Sequence, residues 1–260
     1  MWSISKSFTS TAVGIAISEG LFSLNDRVID LLSEAAPDSV GPLLERLTVR
    51  HLLTMTTGHA TESLPDAERE NDVDWATHVL SQPLEFEPGT HFVYNSGASY
   101  LLSAILQRTS GQLLVDYLVP RLFGPLGIES HSWEVSPQGI NTGGWGLSLR
   151  TEDLAKFGQL YLRGGRLGDV AVVPSEWVAE ATSWQVPNGD PATPSDWSQG
   201  YGYQFWQCRN GAYRGDGLGG QFCIVMPKQD AVLVITADLI DMQQELDVVW
   251  DHLLPALHVH

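Results

Sequence analysis

The first twenty residues, MWSISKSFTSTAVGIAISEG, constrain the chain more than any other stretch. Ile4, Phe8, Ala12, Ile15 and Ala16 recur at three- and four-residue steps, the period of a helix. The remaining positions are mostly Ala, Gly, Ser and Thr, with one acid, Glu19, beside Gly20. A helix this small and apolar all round belongs inside a protein. It nevertheless carries a lysine, Lys6, three residues after Ser3. Residues at i and i+3 are neighbours on a helix surface, roughly 5–6 Å apart at Cβ, so the amine reaches the serine hydroxyl. Burial disfavours the ammonium form and pushes such a lysine towards a neutral amine that accepts a proton. That is the physics of a Ser-Lys nucleophile pair. The spacing alone is a weak signal, arising by chance about one time in four in a chain with three lysines. Its plain alternative is a helix start with a solvated lysine.

Composition narrows the classes. A chain of 260 residues, 43% hydrophobic, buries a substantial core, and no apolar run approaches a membrane span. A net charge of -17 argues against nucleic acid and anionic membranes as partners. The acids are dispersed, so the charge reads as a solubility property. Cys208 and Cys223 have no metal-ligand spacing and are expected as reduced thiols. The eight histidines form no ligand cluster, and His258 and His260 sit at a frayed end, so neither metal nor cofactor is expected. No signal peptide is visible, which favours the cytoplasm unless a targeting segment precedes Met1.

After Gly20 the chain reads as helices and loops. A short helix is expected around Leu43–Leu47, and Thr48 caps another that Gly58 ends. His59 to Asn71 reads as a surface loop, Val73 to Leu80 as a helix and His91 to Tyr94 as extended. Ser96 or Ser99 opens a helix to Thr109, and a further helix covers Leu113–Leu122. NTGGWG precedes an amphipathic helix capped by Thr151, with Glu152 and Asp153 in its first turn. Another helix covers Val173–Thr182, and 184–200 is a long ordered loop or lid. GYGYQFWQC, GQFCIVMP and AVLVITAD read as three strands whose short turns demand antiparallel pairing. Gln243–Leu254 closes the chain as a helix. The expected class is α+β: an antiparallel sheet flanked by helices, with a mostly helical subdomain. One domain spans 1–260, with 21–200 mainly helix and loop and 201–260 holding the strands and closing helix.

SISK, then YNS, then GLGGQ before an apolar strand resembles, in that order, the serine β-lactamase and penicillin-binding-protein superfamily, most closely its class C-like branch of esterases, D-amino-acid peptidases and amide hydrolases. RHLLTMTTG, FEPGTHFVYNSGASYLL, LRTEDLAKFGQLYL and GYGYQFW extend the likeness over nearly the whole chain. The resemblance implies a β-lactamase/transpeptidase-like fold with Ser3 as nucleophile and Lys6 as its base. Tyr94 is then the proton shuttle to the leaving group, working beside the Lys6 charge because a free tyrosine, with a pKa near 10, is a poor base. Ser96 stands where the family usually has Asn, and a hydroxyl replaces one amide hydrogen bond but not both. The N–H groups of Ser3 and Gln221 are expected to form the oxyanion hole, with Gly219 and Gly220 letting the strand approach the substrate. Leu218 occupies the position where relatives carry Lys or His to hold a substrate carboxylate. Trp145, Trp184 and Trp206 are candidates for a hydrophobic acyl pocket.

Family members have a helix and two strands before the nucleophile, whereas Ser3 is almost the first residue here. The resemblance therefore implies a fragment or a late start, with AVLVITAD left as an exposed edge and the chain poorly stable by itself. The function implied is a serine hydrolase cleaving a small ester or amide through an acyl-enzyme. The alternatives are a catalytically degenerate, ligand-binding member of the fold and a β-lactamase or D-Ala-D-Ala peptidase. The substrate, the compartment and the oligomeric state are not legible.

Overall fold

The first helix sits in the middle of its neighbours, as its composition demands. In the computed structural model, which describes residues 1–65 and 73–257, a single 3-10 turn at Trp2–Ile4 leads into α1, Ser5–Ser18. Every residue from Ser5 to Ala16 is buried. Small residues permit this: the Trp177 ring lies over Gly14, where a Cβ would come within 2.3 Å of it. Most of the buried hydroxyls find partners, as buried polar groups usually do, while that of Ser10 has none among the described residues. Ser7 donates to Gln204 O, Thr9 to Gly143 O, and Thr11 pairs with the Tyr161 hydroxyl.

The other helices are α2 (Val28–Leu31), α3 (Val49–Leu53), α4 (Trp75–Ser81), α5 (Ser96–Ser110), α6 (Leu114–Leu118), α7 (Thr151–Leu162), α8 (Ser175–Ala181) and α9 (Met242–Val248). Thr48 opens α3 in a reciprocal cap with His51, whose Nδ1 accepts from the Thr48 N–H at 3.2 Å. The cap of α5 is Asn95 rather than Ser96 or Ser99, because its Oδ1 is the atom that faces the Ala98 N–H. Thr151 is the first residue of α7 and not its cap; its hydroxyl meets that of Thr236. Both α6 and α9 widen into π-type turns, Val119–Phe123 and Val249–Leu253. The loop expected at His59–Asn71 is described only to residue 65, and His258 and His260 also lie outside the described residues.

Two short hairpins pair β1 (Ser132–Trp133) with β2 (Leu147–Ser148), and β3 (Arg166–Leu167) with β4 (Val170–Ala171). The main sheet is antiparallel and runs in chain order: β5 (Trp206–Gln207), β6 (Tyr213–Gly217), β7 (Gln221–Met226) and β8 (Ala231–Ile235). It therefore has four strands where the sequence suggested three. The additional one, YRGDG, carries two glycines and no β-branched residue, so its propensity is poor; pairing on both sides holds it. Along β7 the side chains alternate. Cys223 and Val225 join the main core, while Phe222, Ile224 and Met226 form a second cluster with Leu246, Val249 and Trp250 of the closing helical segment. Both cysteines are buried free thiols, and burial pushes Cys223 up to about 12. Among the described residues no helix is long and apolar enough to cross a membrane, and no group of three or more His, Cys, Asp or Glu is placed to hold a metal.

Candidate active site

The start of α1, the start of α5, the glycine-rich loop 141–146 and the end of β6 converge on one point. Lys6, only 1% exposed, donates to Ser3 Oγ at 3.0 Å, Ser96 Oγ at 3.1 Å and Gly144 O at 2.9 Å. Three acceptors match the three protons of an ammonium, and the cage fixes the nitrogen against Ser3. Ser5 and Ser7 are engaged elsewhere: Ser5 Oγ donates to Trp2 O and accepts from the Leu147 N–H, and Ser7 Oγ donates to Gln204 O. Of the three serines around Lys6 in sequence, Ser3 is the one that faces it.

Tyr94 lies across the same cage, its ring centroid 4.7 Å from Lys6 Nζ. The Trp206 ring packs against it at 5.1 Å. Burial, and then the negative charge of Asp216, push the Tyr94 phenol well above its ordinary value, while a hydrogen bond with Ser3 acts the other way. Desolvation and the nearby acid both disfavour the phenolate, the form in which Tyr94 would act as a base.

The Ser96 hydroxyl accepts from Lys6. Its neighbourhood holds groups that sequence reading missed. The Gly144 carbonyl is one; a side chain there would crowd Lys6 Nζ and Ser96 Cβ, each 3.3 Å from the position of a Cβ. The run of glycines in NTGGWG was the only signal. Glu62 is another: its carboxylate accepts the backbone N–H groups of Ser96 at 2.7 Å, Gly97 at 3.1 Å and Leu64 at 3.0 Å. Trp145 is half-buried beside Gly144 and packs on Trp75, with centroids 5.9 Å apart. Trp184 is exposed and covers Gly200, so of the three tryptophans it is the one that leaves the site.

The strand-side residues lie in the β6–β7 hairpin. Leu218, Gly219 and Gly220 form the turn itself, with left-handed φ of +80° and +84° at the two glycines. Gly220 faces Glu245, and Leu218 is 64% exposed. The close approach to the nucleophile occurs at Gly217, where a Cβ would sit 3.1 Å from Ser3 N and 2.3 Å from Met1 O. Gln221 is the cross-strand partner of Gly217, and its side-chain amide donates to Gly219 O and Ala237 O. On β6 itself stand Arg214 and Asp216, both buried, with Arg214 Nε donating to Asp216 Oδ2 at 3.0 Å. Arg214 also donates to Asp196 O, Gln207 O and Cys208 Sγ, so its guanidinium is held within the wall. Burial raises the Asp216 carboxyl above the usual carboxylate range, against the pull of Arg214.

Comparison with known proteins bears on the fold and the family. The chain is 26% identical over 252 residues to the 6-aminohexanoate-dimer hydrolase of Paenarthrobacter ureafaciens, covering 90% of this chain and 64% of that protein. Among solved structures it resembles EstCE1, a hydrolase with promiscuous acyltransferase activity (TM-score 0.76, 18% identity, 94% of this chain and 80% of that one). It also resembles the octameric penicillin-binding protein homologue of Pyrococcus abyssi (TM-score 0.73, 21% identity, 96% and 65%). The chain spans 54%, 36% and 55% of the length of three further curated relatives. The family model described as Beta-lactamase matches residues 1–247, and the chain belongs to that family.

Proposed function

We propose that this chain hydrolyses a small ester or amide through an acyl-enzyme on Ser3. The observation that carries the reading is the Lys6 amine, caged by three oxygens and 3.0 Å from Ser3 Oγ. With Lys6 in its free-amine form, Ser3 Oγ attacks the substrate carbonyl as its proton passes to Lys6. Tyr94, kept as a phenol by burial and Asp216, gives its proton to the departing alcohol or amine and regains one from the Lys6 ammonium. The Ser3 N–H, beside the backbone of Gly217, faces the developing oxyanion. Water then reverses these steps and releases the acid.

Uncharged substrates are favoured over β-lactams and carboxylate-terminated peptides. The basis is that Leu218 offers no cation to a substrate carboxylate, while the one buried cation on β6, Arg214, is paired with Asp216. The test is fluorophosphonate labelling read by intact mass, with kcat/KM for a p-nitrophenyl ester against nitrocefin. Labelling of wild type and none of Ser3→Ala, with the ester turned over faster, is the expected result. Equal labelling of both proteins would sink the assignment, and faster nitrocefin turnover would overturn the preference.

A further inference from the structure

Glu62 stands outside the proton path just described, yet it is built into the same cage. It comes from the loop after α3 and reaches the first turn of α5. One oxygen accepts from Ser96 N–H, and the other from Gly97 N–H and Leu64 N–H. The first N–H groups of a helix have no intrahelical partner, and α5 is 15 residues long. A carboxylate at that end meets both the unpaired donors and the positive end of the helix dipole. Asn95 Oδ1 serves the next N–H, of Ala98, at 3.3 Å. The residue whose N–H makes the shortest bond to Glu62 is Ser96, and its hydroxyl is an acceptor for Lys6. One residue therefore links Glu62 to the amine.

We propose that Glu62 is a positioning residue for Lys6. By holding the first turn of α5, it fixes the Ser96 hydroxyl that aims the amine at Ser3, and it adds its negative charge to that of Asp216, whose carboxyl feels Lys6 directly. The inference rests on the Ser3–Lys6 reading and adds a residue to it. The other titratable groups facing this cluster are Tyr94 and Asp216 on the substrate side, and His59, which bonds to the Thr57 hydroxyl and feels the Glu62 charge. None of these touches the α5 backbone N–H groups that Glu62 holds.

The test uses Glu62→Gln, which keeps the shape and one acceptor but removes the charge, with Glu62→Asp as the conservative rescue. Two readouts separate positioning from charge. In the pH profile of fluorophosphonate labelling, the high-pH plateau reports placement; it should fall at least about tenfold in Glu62→Gln and recover in part in Glu62→Asp. The midpoint reports the added charge. Loss of a nearby negative charge destabilises the ammonium, so the midpoint should move down by on the order of one pH unit. The chain has three lysines, Lys6, Lys156 and Lys228. Titration of 13C-lysine signals by NMR therefore reads the Lys6 midpoint directly, whether or not the enzyme turns over. An unchanged plateau and midpoint in a folded Glu62→Gln protein overturn the proposal. So does a rate loss that follows a lowered Tm while the midpoint stays fixed. Absence of Ser3 labelling in wild type would remove the hydrolase reading, while the NMR titration would still decide the role of Glu62.

Discussion

Two apolar segments look alike in sequence and meet opposite fates. TAVGIAIS in α1 and AVLVITAD at β8 are both nearly free of charge. The core of α1 is encased on every side, whereas each residue of β8 is only half-buried. On β8, Val232 and Val234 lean on the main core, while Ala231, Leu233 and Ile235 lean on the second cluster. Its far edge pairs with no strand among the described residues. The side chains explain the contrast. Ala, Gly and Ser in α1 leave room for Trp177, Phe157 and the glycine-rich loop to close around it. The β-branched residues of β8 cover two faces of a sheet but cannot cover its edge. Burial follows from what the neighbours can approach, not from hydrophobicity alone.

The site belongs to the encased region, and breaking it there should have the largest effect. Lys6→Ala should lower the rate of Ser3 acylation by about 10²–10⁴, the usual share of a general base. Leu233→Ala, on the sheet edge, should leave that rate within a few-fold. Stopped-flow labelling of both variants checks the pair. A large rate loss in Leu233→Ala would show that the sheet edge and the catalytic cage are one mechanical unit.

Stability should divide the same way. Phe8 is fully buried and stacked on Phe157 at 4.0 Å between centroids, so Phe8→Ala should cost about 3–5 kcal/mol. Leu233→Ala removes a half-buried side chain and should cost about half of the 2–5 kcal/mol typical of a fully buried leucine. Urea melts of the two variants give the ratio, and equal losses would erase the distinction between the regions.

How much of this was legible depends on how local the cause was. The period of α1, the cap at Thr48 and the spacing of Ser3 and Lys6 are set within a few residues, and the sequence shows them. The strand Tyr213–Gly217 was missed because two neighbours, not its own side chains, make it a strand. Gly219 and Gly220 were assigned to close approach because two glycines suit it equally well. Their positive φ instead makes the turn, and Gly217 makes the approach. Glu62 left no mark at all. A lone acid in a polar loop looks solvated until the fold lays it against α5. Only the β6 register tells which of Asp216 and Leu218 stays in the strand.

The sheet side compensates for its thinner cover with a polar network. Asp196 is fully buried and accepts from Arg209, Gln243 and Trp250. Burial pushes its carboxyl upward, but these bonds more than offset that, and the net shift is downward. A carboxyl depressed in the folded state stabilises above its unfolded value, near 3.9, and that contribution is lost as pH falls through the folded value. Acid melts of wild type should steepen below about pH 4, and Asp196→Asn should flatten that limb while lowering Tm at pH 7. An acid limb unchanged by the substitution would show that other carboxylates carry it.

The smallest effect, and the most direct reading of the contrast, is local opening. An amide hydrogen exchanges with solvent either when the whole protein unfolds or when its own segment opens, whichever is easier. The α1 amides from Phe8 to Ala16 lie in a helix with buried side chains on every face, so releasing one requires dismantling the main core. The β8 amides that face β7 are bonded, but no strand among the described residues pairs with the other edge, and the side chains on both faces are only half-buried. Opening β8 exposes five side chains that already see solvent and leaves β5 to β7 paired. Native-state exchange followed by mass spectrometry should therefore show peptides over 231–235 exchanging at least about tenfold faster than those over 8–16. In rising urea the α1 rates should track global stability, while the β8 rates stay flat until unfolding takes over. Equal protection would mean that the β8 edge is covered in solution. Repeating the exchange at two protein concentrations then shows whether the cover is a second copy of the chain.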